Sequence, residues 1–378
     1  MAAAGVSGYT SGAVAERSVK GETFMALRIL VLEGDGIGPE ITAATLEVLK
    51  AADKKFNIGF EFSKADIGWA AHKVTGTTFP DAVEVAAKAS DGVLLGPVSH
   101  NDYPPRAEGG LNPSGELRKR LDLYANVRPA RSREGFPPRC GKAVDLVVVR
   151  ENTEGFYADR NMFMGGGEFM PTPDVALAVR KVTREGSMRI AETAFKLAMQ
   201  RRKKVTVVHK GNVLRISDGL WLECTRKVAA KYPQVQVEER IIDAMAALLI
   251  RDAGQFDVIV ATNMFGDILS DEASEIAGSL GLAASVNAGD QYGVAQAQHG
   301  SAPDIAGKNI ANPSSLIGSA AMLLAWLGDR RGDDKLVKAA AAIEAALDKV
   351  IATPDGRTPD LGGKLGTDEF GKRVAAAV

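Results

Sequence analysis

Through most of this chain, short apolar runs alternate with longer stretches in which apolar positions recur every three or four residues. Residues 27–32, 92–95, 146–149, 205–208 and 258–261 predict buried strands, several too continuously apolar for a half-exposed antiparallel strand. Between them, residues 39–55, 174–202, 212–231 and 266–280 carry a helical period. The alternation predicts an α/β fold with a substantial sheet. Two further helices are predicted over 334–351 and 368–378, separated by the turn-rich stretch 353–363. The Gly/Pro-rich stretch 161–173, punctuated by Gly165-Gly166-Gly167, reads as a loop or a protruding arm.

At about 100–200 residues per domain, the 378 residues make two domains or one large one. The chain is 46% hydrophobic and 25% charged, which excludes a disordered or collagen-like class. Its 46 basic and 47 acidic side chains give a net charge of -1. That balance argues against a main role in holding nucleic acid or an anionic membrane, since both need a net basic surface. Cys140 and Cys224 lie far apart and form no CxxC pair, so neither a disulfide framework nor a structural zinc site is indicated. A reducing, cytoplasmic setting is expected. The longest apolar candidate, residues 320–327, is far short of the ~18 residues a membrane helix needs. Residues 1–24 are small, polar and lack the apolar core of a secretory signal; they are expected to be a disordered extension, with Met25 an alternative start. Glu16 and Glu22 weigh against a cleaved transit peptide, because such segments are acid-poor.

The first strand runs into Glu33-Gly34-Asp35-Gly36-Ile37-Gly38-Pro39-Glu40 and then a helix with Pro39 in its first turn. A glycine-rich strand-to-helix turn brings backbone close to a phosphate, but the even glycine spacing, and Asp53 in a helix-like stretch, do not fit the dinucleotide fingerprint. Asp267 and Asp271 stand one helical turn apart and repel unless a cation lies between them; the alternative is a helix-start residue and a solvated one. Asp243, after a strand-like run, is a candidate third carboxylate, and oxygen-only ligation points to Mg2+ or Mn2+ rather than zinc. Arg118, Arg128 and Arg150 form a third signal: Arg150 ends a buried strand, and a guanidinium there needs carboxylate partners, protein or substrate. Arg118-Lys119-Arg120 alone also fits a solvated helix face. Tyr157 and Lys210 follow strand ends, where α/β proteins place their sites. A long loop of small and polar residues opens at His299, which on its own reads as a structural histidine.

Taken in order, GDGIGPE, LDLYANVRP, VRENTEGFY, HKGNVL, the Asp243-Ala244-Met245-Ala246 segment, NMFGDILSDEAS and HGSAPDIAGKNIANP resemble the β-decarboxylating dehydrogenases, the isocitrate/isopropylmalate dehydrogenase family, over a stretch running from about Leu27 to the C-terminus. The resemblance implies a two-domain α/β fold that is not a Rossmann fold. Residues 25–123 plus 279–378 would hold the nucleotide, and residues 124–278 would form a central substrate and dimerisation domain with an arm near 158–175. It implies an enzyme acting on a small hydroxy-diacid or triacid, with NAD and Mg2+ or Mn2+ as cofactors. Arg118, Arg128 and Arg150 would hold the substrate carboxylates, and Asp243, Asp267 and Asp271 the metal, which lowers the pKa of the substrate alcohol. Lys210 would take the alcohol proton and Tyr157 protonate the enol at C3. Lys210 and Asp243 are expected to enter the site from the partner of a homodimer. Ile37, His299, Gly300, Ser301, Ala302, Asp304 and Asn312 would contact the cofactor. NADP-dependent relatives carry Lys-Tyr where this chain has Asp304-Ile305, and a carboxylate there would repel a 2′-phosphate, so NAD is expected.

In this family specificity rests mainly on the helix preceding the first arginine, here Leu111-Asn112-Pro113-Ser114-Gly115-Glu116-Leu117-Arg118. Isopropylmalate enzymes place a leucine where this chain has Ser114, and a nicotinamide-contacting glutamate where it has Leu111. Isocitrate enzymes use a Ser/Asn pair, present here in exchanged order as Asn112 and Ser114. Some homoisocitrate enzymes carry an arginine where this chain has Gly115. A further departure is Ala295-Gln296-Ala297-Gln298, where relatives usually have a Glu-Pro pair. The expected reaction is therefore oxidative decarboxylation of isocitrate. 3-Isopropylmalate, homoisocitrate and tartrate or D-malate are alternative substrates, and a non-catalytic regulatory subunit is an alternative of another class. Such a subunit would be expected to lose metal or base residues, which this chain keeps.

Overall fold

Continuous apolar runs demand burial on both faces, and the fold supplies it by covering one long sheet with helices on each side. The computed structural model describes residues 17–19, 22–24, 26–157, 162 and 166–378. Ten strands join in the order Gln236–Ile241, Lys204–His209, Val258–Ala261, Asp145–Glu151, Ala125–Arg131, Val286–Ala288, Gly293–Gln296, Gly92–Leu95, Leu27–Leu32 and Phe60–Lys64. The first four are mutually parallel, as are the last four. The two blocks run in opposite directions and are joined through the central strands Ala125–Arg131 and Val286–Ala288, antiparallel to both neighbours. This is an α/β fold with a large mixed sheet, as the sequence predicts.

Strand alternation then decides the site. Asn126 pairs with Arg150 on one side and Asn287 on the other, Arg128 lies two residues along, and Gln296 lies two residues beyond Val294, the partner of Asn287. All five therefore share one sheet face. At one end of that face helix Asn263–Ala277 packs through Phe265, Leu269 and Ala273; at the other, helices Asp81–Ala89 and Pro113–Arg120 pack through Val83, Ala87 and Leu117. The polar residues occupy the gap between these two apolar clusters. On the reverse face, helices Gly38–Phe56, Ser314–Arg331 and Asp334–Ile351 bury the largest cluster, and Arg184–Met199 and Ser217–Ala229 another.

The helix expected over 174–202 needs correction. Val175–Ala178 is a strand paired antiparallel with Glu168–Thr172, and the helix begins only at Arg184, where the Thr183 side chain accepts from the Gly186 N–H. That threonine cap is a start signal, and the segment before it is a two-stranded ribbon with Phe169, Met170, Val175 and Leu177 exposed. Residues 158–161 and 163–165 of the expected arm lie outside the described residues. Of the extension expected over 1–24, Arg17–Val19 and Glu22–Phe24 pair as a short antiparallel ribbon, and the remainder lies outside the described residues.

Candidate active site

Two arginines from adjacent antiparallel strands converge on the helix Asn263–Ala277. Arg150 forms an ion pair with Asp267 Oδ1, and its Nε and Nη2 donate to Asn263 Oδ1 at 2.9 and 2.6 Å. Arg128 Nη1 lies 3.2 Å from Asp267 Oδ1 and 3.3 Å from Asp271 Oδ1, and donates to Ser270 Oγ at 2.8 Å. Arg150 is 2% exposed and Arg128 6%, so each needs these partners to offset the cost of burial. Gly266 makes the approach feasible: a Cβ there would stand 2.7 Å from Arg150 Cβ. Burial pushes the Asp267 carboxyl up, but Arg150, Arg128 and Arg118 outweigh it and hold the group below the usual carboxylate range. Tyr157 Oη donates to Asp267 Oδ2 at 3.1 Å, with the Arg150 guanidinium 5.6 Å from the centre of its ring.

Arg128, Arg150, Tyr157 and Asp267 face a cavity of about 240 Å3, also lined by Asn112, Ser114, Arg118, Gln296, Gln298 and His299. Asp271 meets it through Gln298, whose Nε2 donates to Asp271 Oδ1 at 2.6 Å. Burial raises the Asp271 carboxyl, and that amide bond opposes the rise. Asp267 and Asp271 together offer hard oxygen donors one helical turn apart, a set that fits Mg2+ or Mn2+. Asp243 stands elsewhere, accepting from Lys210 Nζ at 2.6 Å, and neither residue lines this cavity. Among the described residues no three His, Cys, Asp or Glu side chains assemble in one chain as a metal site.

Asn112 caps its helix, its Oδ1 accepting from the Gly115 N–H at 3.2 Å, and so turns Ser114 and Arg118 toward the cavity. Arg120, two residues beyond, instead pairs with Asp81, Glu84 and Glu116, so the basic run divides between the cavity and an ion-paired surface. Ser114 Oγ donates to Gln296 Oε1 at 2.9 Å. Behind Gln296, a buried series of amides runs through Asn287 and Asn126 to Arg128. Sequence reasoning missed Asn126, Asn287, Ser270 and Asn263. The available signal was a polar residue between Val286 and Ala288 for Asn287, and for Asn126 its place two residues before Arg128, on the same face of a strand.

The glycine-rich turn has a structural purpose. Gly36 has φ +58°, and a Cβ there would run into the Ser301 carbonyl oxygen, which accepts from the Ile37 N–H at 2.9 Å. The Ile37 side chain lies in the core, so this residue shapes the loop through its backbone. Ser301 Oγ lies 2.7 Å from Ser99 Oγ, and Ala302 takes the left-handed φ +39°, an uncommon conformation for a residue with a Cβ. His299 Nδ1 lies 2.9 Å from the Gly300 carbonyl oxygen, which can only accept, so that nitrogen carries the proton. Its Nε2 is then an acceptor, buried and without a partner among the described residues. A buried acceptor of this kind fits the exocyclic amine of an adenine. Burial holds the His299 imidazole below its ordinary pKa, so it stays neutral. Asp304 is exposed at the loop tip, whereas Asn312 is engaged with Asp360 Oδ2 at 3.0 Å and the Ser314 N–H at 3.0 Å.

Known proteins resemble the chain over most of its length. Residues 28–374 match the isocitrate/isopropylmalate dehydrogenase family. The chain is 42% identical to an isocitrate/homoisocitrate dehydrogenase of Thermus thermophilus, over 94% of this chain and 99% of that protein. It is 40% identical to a 3-isopropylmalate dehydrogenase of Sulfurisphaera tokodaii, over 92% of this chain and 97% of that protein. Among solved structures, isocitrate dehydrogenase from Methylococcus capsulatus superposes with a TM-score of 0.81 at 39% identity, covering 93% of this chain and 98% of that one.

Proposed function

The chain belongs to the isocitrate/isopropylmalate dehydrogenase family and is a decarboxylating dehydrogenase, and we propose that it is the NAD-dependent, Mg2+- or Mn2+-assisted enzyme converting isocitrate to 2-oxoglutarate and CO2. The observation that carries the substrate choice is the hydrogen bond between Ser114 and Gln296. Together they make a polar wall where a 3-isopropyl group would need an apolar one, and desolvating both polar groups against a hydrocarbon costs binding energy. Homoisocitrate, which also carries a third carboxylate, is the second reading.

Arg118, Arg128 and Arg150 hold the carboxylates of the substrate by charge-assisted hydrogen bonds. Asp267 and Asp271, with Asp243 from the partner subunit, hold the divalent cation, and His299, Gly300, Ser301, Ala302, Asp304, Asn312 and the Ile37 turn form the cofactor side of the cleft. When bound, NAD supplies the hydride acceptor and the cation an electrophile that acidifies the hydroxyl and stabilises the electrons released by decarboxylation. Lys210 accepts the hydroxyl proton. Tyr157 delivers a proton to C3 of the enol.

The chain divides into a nucleotide domain, residues 25–123 plus 279–378, and a central domain, residues 124–278, with the site between them. It works as a homodimer. Val213, Ile216, Ile250 and Ile268 stand exposed, Ile216 at 91%, and apolar side chains left in solvent just after Lys210 in the chain support a partner contact there. Steady-state NAD reduction with Mn2+ across isocitrate, homoisocitrate, 3-isopropylmalate, D-malate and tartrate tests the reading. A kcat/KM for isocitrate below that for 3-isopropylmalate would sink the substrate assignment.

A further inference from the structure

The buried amides behind the cavity form a hydrogen-bonded series whose direction is fixed at its origin. A guanidinium can only donate. Arg128 Nε meets Asn126 Oδ1, so that atom is the carbonyl oxygen and Asn126 Nδ2 donates onward, reaching Asn287 Oδ1 at 2.6 Å. A second anchor agrees independently. Asn152 Nδ2 donates to the Leu123 backbone carbonyl at 2.9 Å, which can only accept, and the same nitrogen reaches Asn287 Oδ1 at 3.0 Å. With its oxygen held by two donors, Asn287 presents Nδ2 to Gln296 Oε1 at 3.2 Å, and the Ser114 hydroxyl donates to that same oxygen at 2.9 Å. The Gln296 carboxamide therefore cannot turn over without losing the bond from Asn287 and setting its own Nε2 against that donor. Its Nε2 is left as a donor on a cavity-lining residue, without an acceptor among the described residues.

From this we infer that Gln296 is a specificity-determining residue, whose amide N–H receives an acceptor group on the C3 substituent of the substrate, a carboxylate above all. The inference deepens the functional reading and rests on it for the orientation of the substrate. Arg128 has two tasks in it: it binds a carboxylate directly and, through Asn126 and Asn287, sets the polarity of the wall that meets the substituent. A carboxylate at position 296 would accept the same two hydrogen bonds with one oxygen and place its negative charge where Nε2 now stands, repelling an anionic substituent. An apolar side chain of similar length would lose the hydrogen bond without adding the repulsion. The other acceptor that could meet the same N–H is the carboxamide oxygen of the nicotinamide, and the two occupants separate by which affinity moves.

The test uses the full-length protein and two variants, Gln296→Glu and Gln296→Met, with dissociation constants for isocitrate and for 3-isopropylmalate measured calorimetrically in the presence of Mg2+, and for NAD separately. The preference for isocitrate over 3-isopropylmalate should fall by about 100-fold in the glutamate variant and about 10-fold in the methionine variant, with NAD affinity unchanged within about twofold. An unchanged preference in either folded variant overturns the inference, as does a loss confined to NAD affinity. Thermal unfolding establishes which variants fold, and the methionine variant, which adds no charge, carries the test if the glutamate one does not. Turnover is scored apart from binding. Wild-type enzyme that reduces NAD with isocitrate while Gln296→Glu leaves the preference intact refutes the role of Gln296 alone. Wild type that favours 3-isopropylmalate, with the preference falling still further in the variant, refutes the substrate reading and leaves the role of Gln296 standing.

Discussion

Lys210 Nζ lies 2.6 Å from Asp243 Oδ1, and the pair is separate from the cavity where Arg118, Arg128, Arg150 and Asp267 converge. The separation has a topological cause. Lys210 and Asp243 follow the paired strand ends His209 and Ile241, in the two outermost strands of one parallel block, whereas the arginines come from the sheet centre and from helix Pro113–Arg120. A single chain thus divides the expected catalytic set into two groups. An apolar surface at Val213 and Ile216 adjoins the smaller group in sequence.

If two subunits each supply one group to a shared site, two inactive variants should rescue each other. Lys210→Ala and Asp267→Asn homodimers are each expected to lose about 100-fold or more of kcat. Mixed, unfolded and refolded together at equal concentration, they should recover roughly a quarter of wild-type activity, because half the dimers are mixed and each carries one intact site. No recovery, with mixed dimers demonstrated by mass spectrometry, would show that each site is built within one chain.

Tyr157→Phe removes the phenol proton while keeping the ring near the Arg150 guanidinium. A loss of about 100- to 10,000-fold in kcat is expected, with substrate affinity changed little. Normal turnover would exclude Tyr157 as the C3 proton donor.

Metal ligation has a readout that does not depend on activity. Mn2+ at about 100 times its dissociation constant should stabilise the wild type by about 2.7 kcal/mol, seen as a rise in Tm. In Asp267→Asn that rise should largely vanish, since the residue is the acidic centre of the arginine cluster. An undiminished Mn2+ shift in the variant would place the cation elsewhere.

Cofactor preference is expected to respond to the exposed Asp304. Replacing Asp304-Ile305 by Lys-Tyr exchanges repulsion of a 2′-phosphate for attraction, and should move the ratio of kcat/KM for NADP over NAD upward by about 100-fold, or ~3 kcal/mol. A ratio unmoved by the double substitution would contradict the assignment of this loop to the ribose.

Gly36→Ala tests the link between the glycine-rich turn and the cofactor loop. The residue sits at φ +58° and its new Cβ would meet the Ser301 carbonyl, so a cost of about 1–3 kcal/mol in stability is expected, together with weaker NAD binding. A variant with unchanged Tm and unchanged NAD affinity would show that the two loops are not mechanically joined.

Several elements were legible in the sequence because their cause is local. The strands Leu27–Leu32, Gly92–Leu95 and Val258–Ala261 and the helix Asp334–Ile351 end where their periodicity ends. The expected helix over 174–202 failed at its start because a period in apolar residues does not reveal where a helix begins; the Thr183 cap does. The even glycines after Leu32 drew attention to a phosphate, yet Gly36 is needed for a protein carbonyl that is more than 260 residues away in the chain.

The sequence by itself determined the α/β alternation, the family and the chemistry each side chain can perform, since these follow from residue type and short-range spacing. Only the tertiary structure decided that Asn126, Asn287 and Gln296 stand in one hydrogen-bonded line with Arg128, and that Lys210 and Asp243 stand apart from it. The physical reason is that alternation fixes which face of a strand a side chain takes, while strand order, set by long crossovers, fixes which faces meet. The direction of each amide follows from neither: it is imposed by a guanidinium that can only donate, acting through partners brought together by the fold.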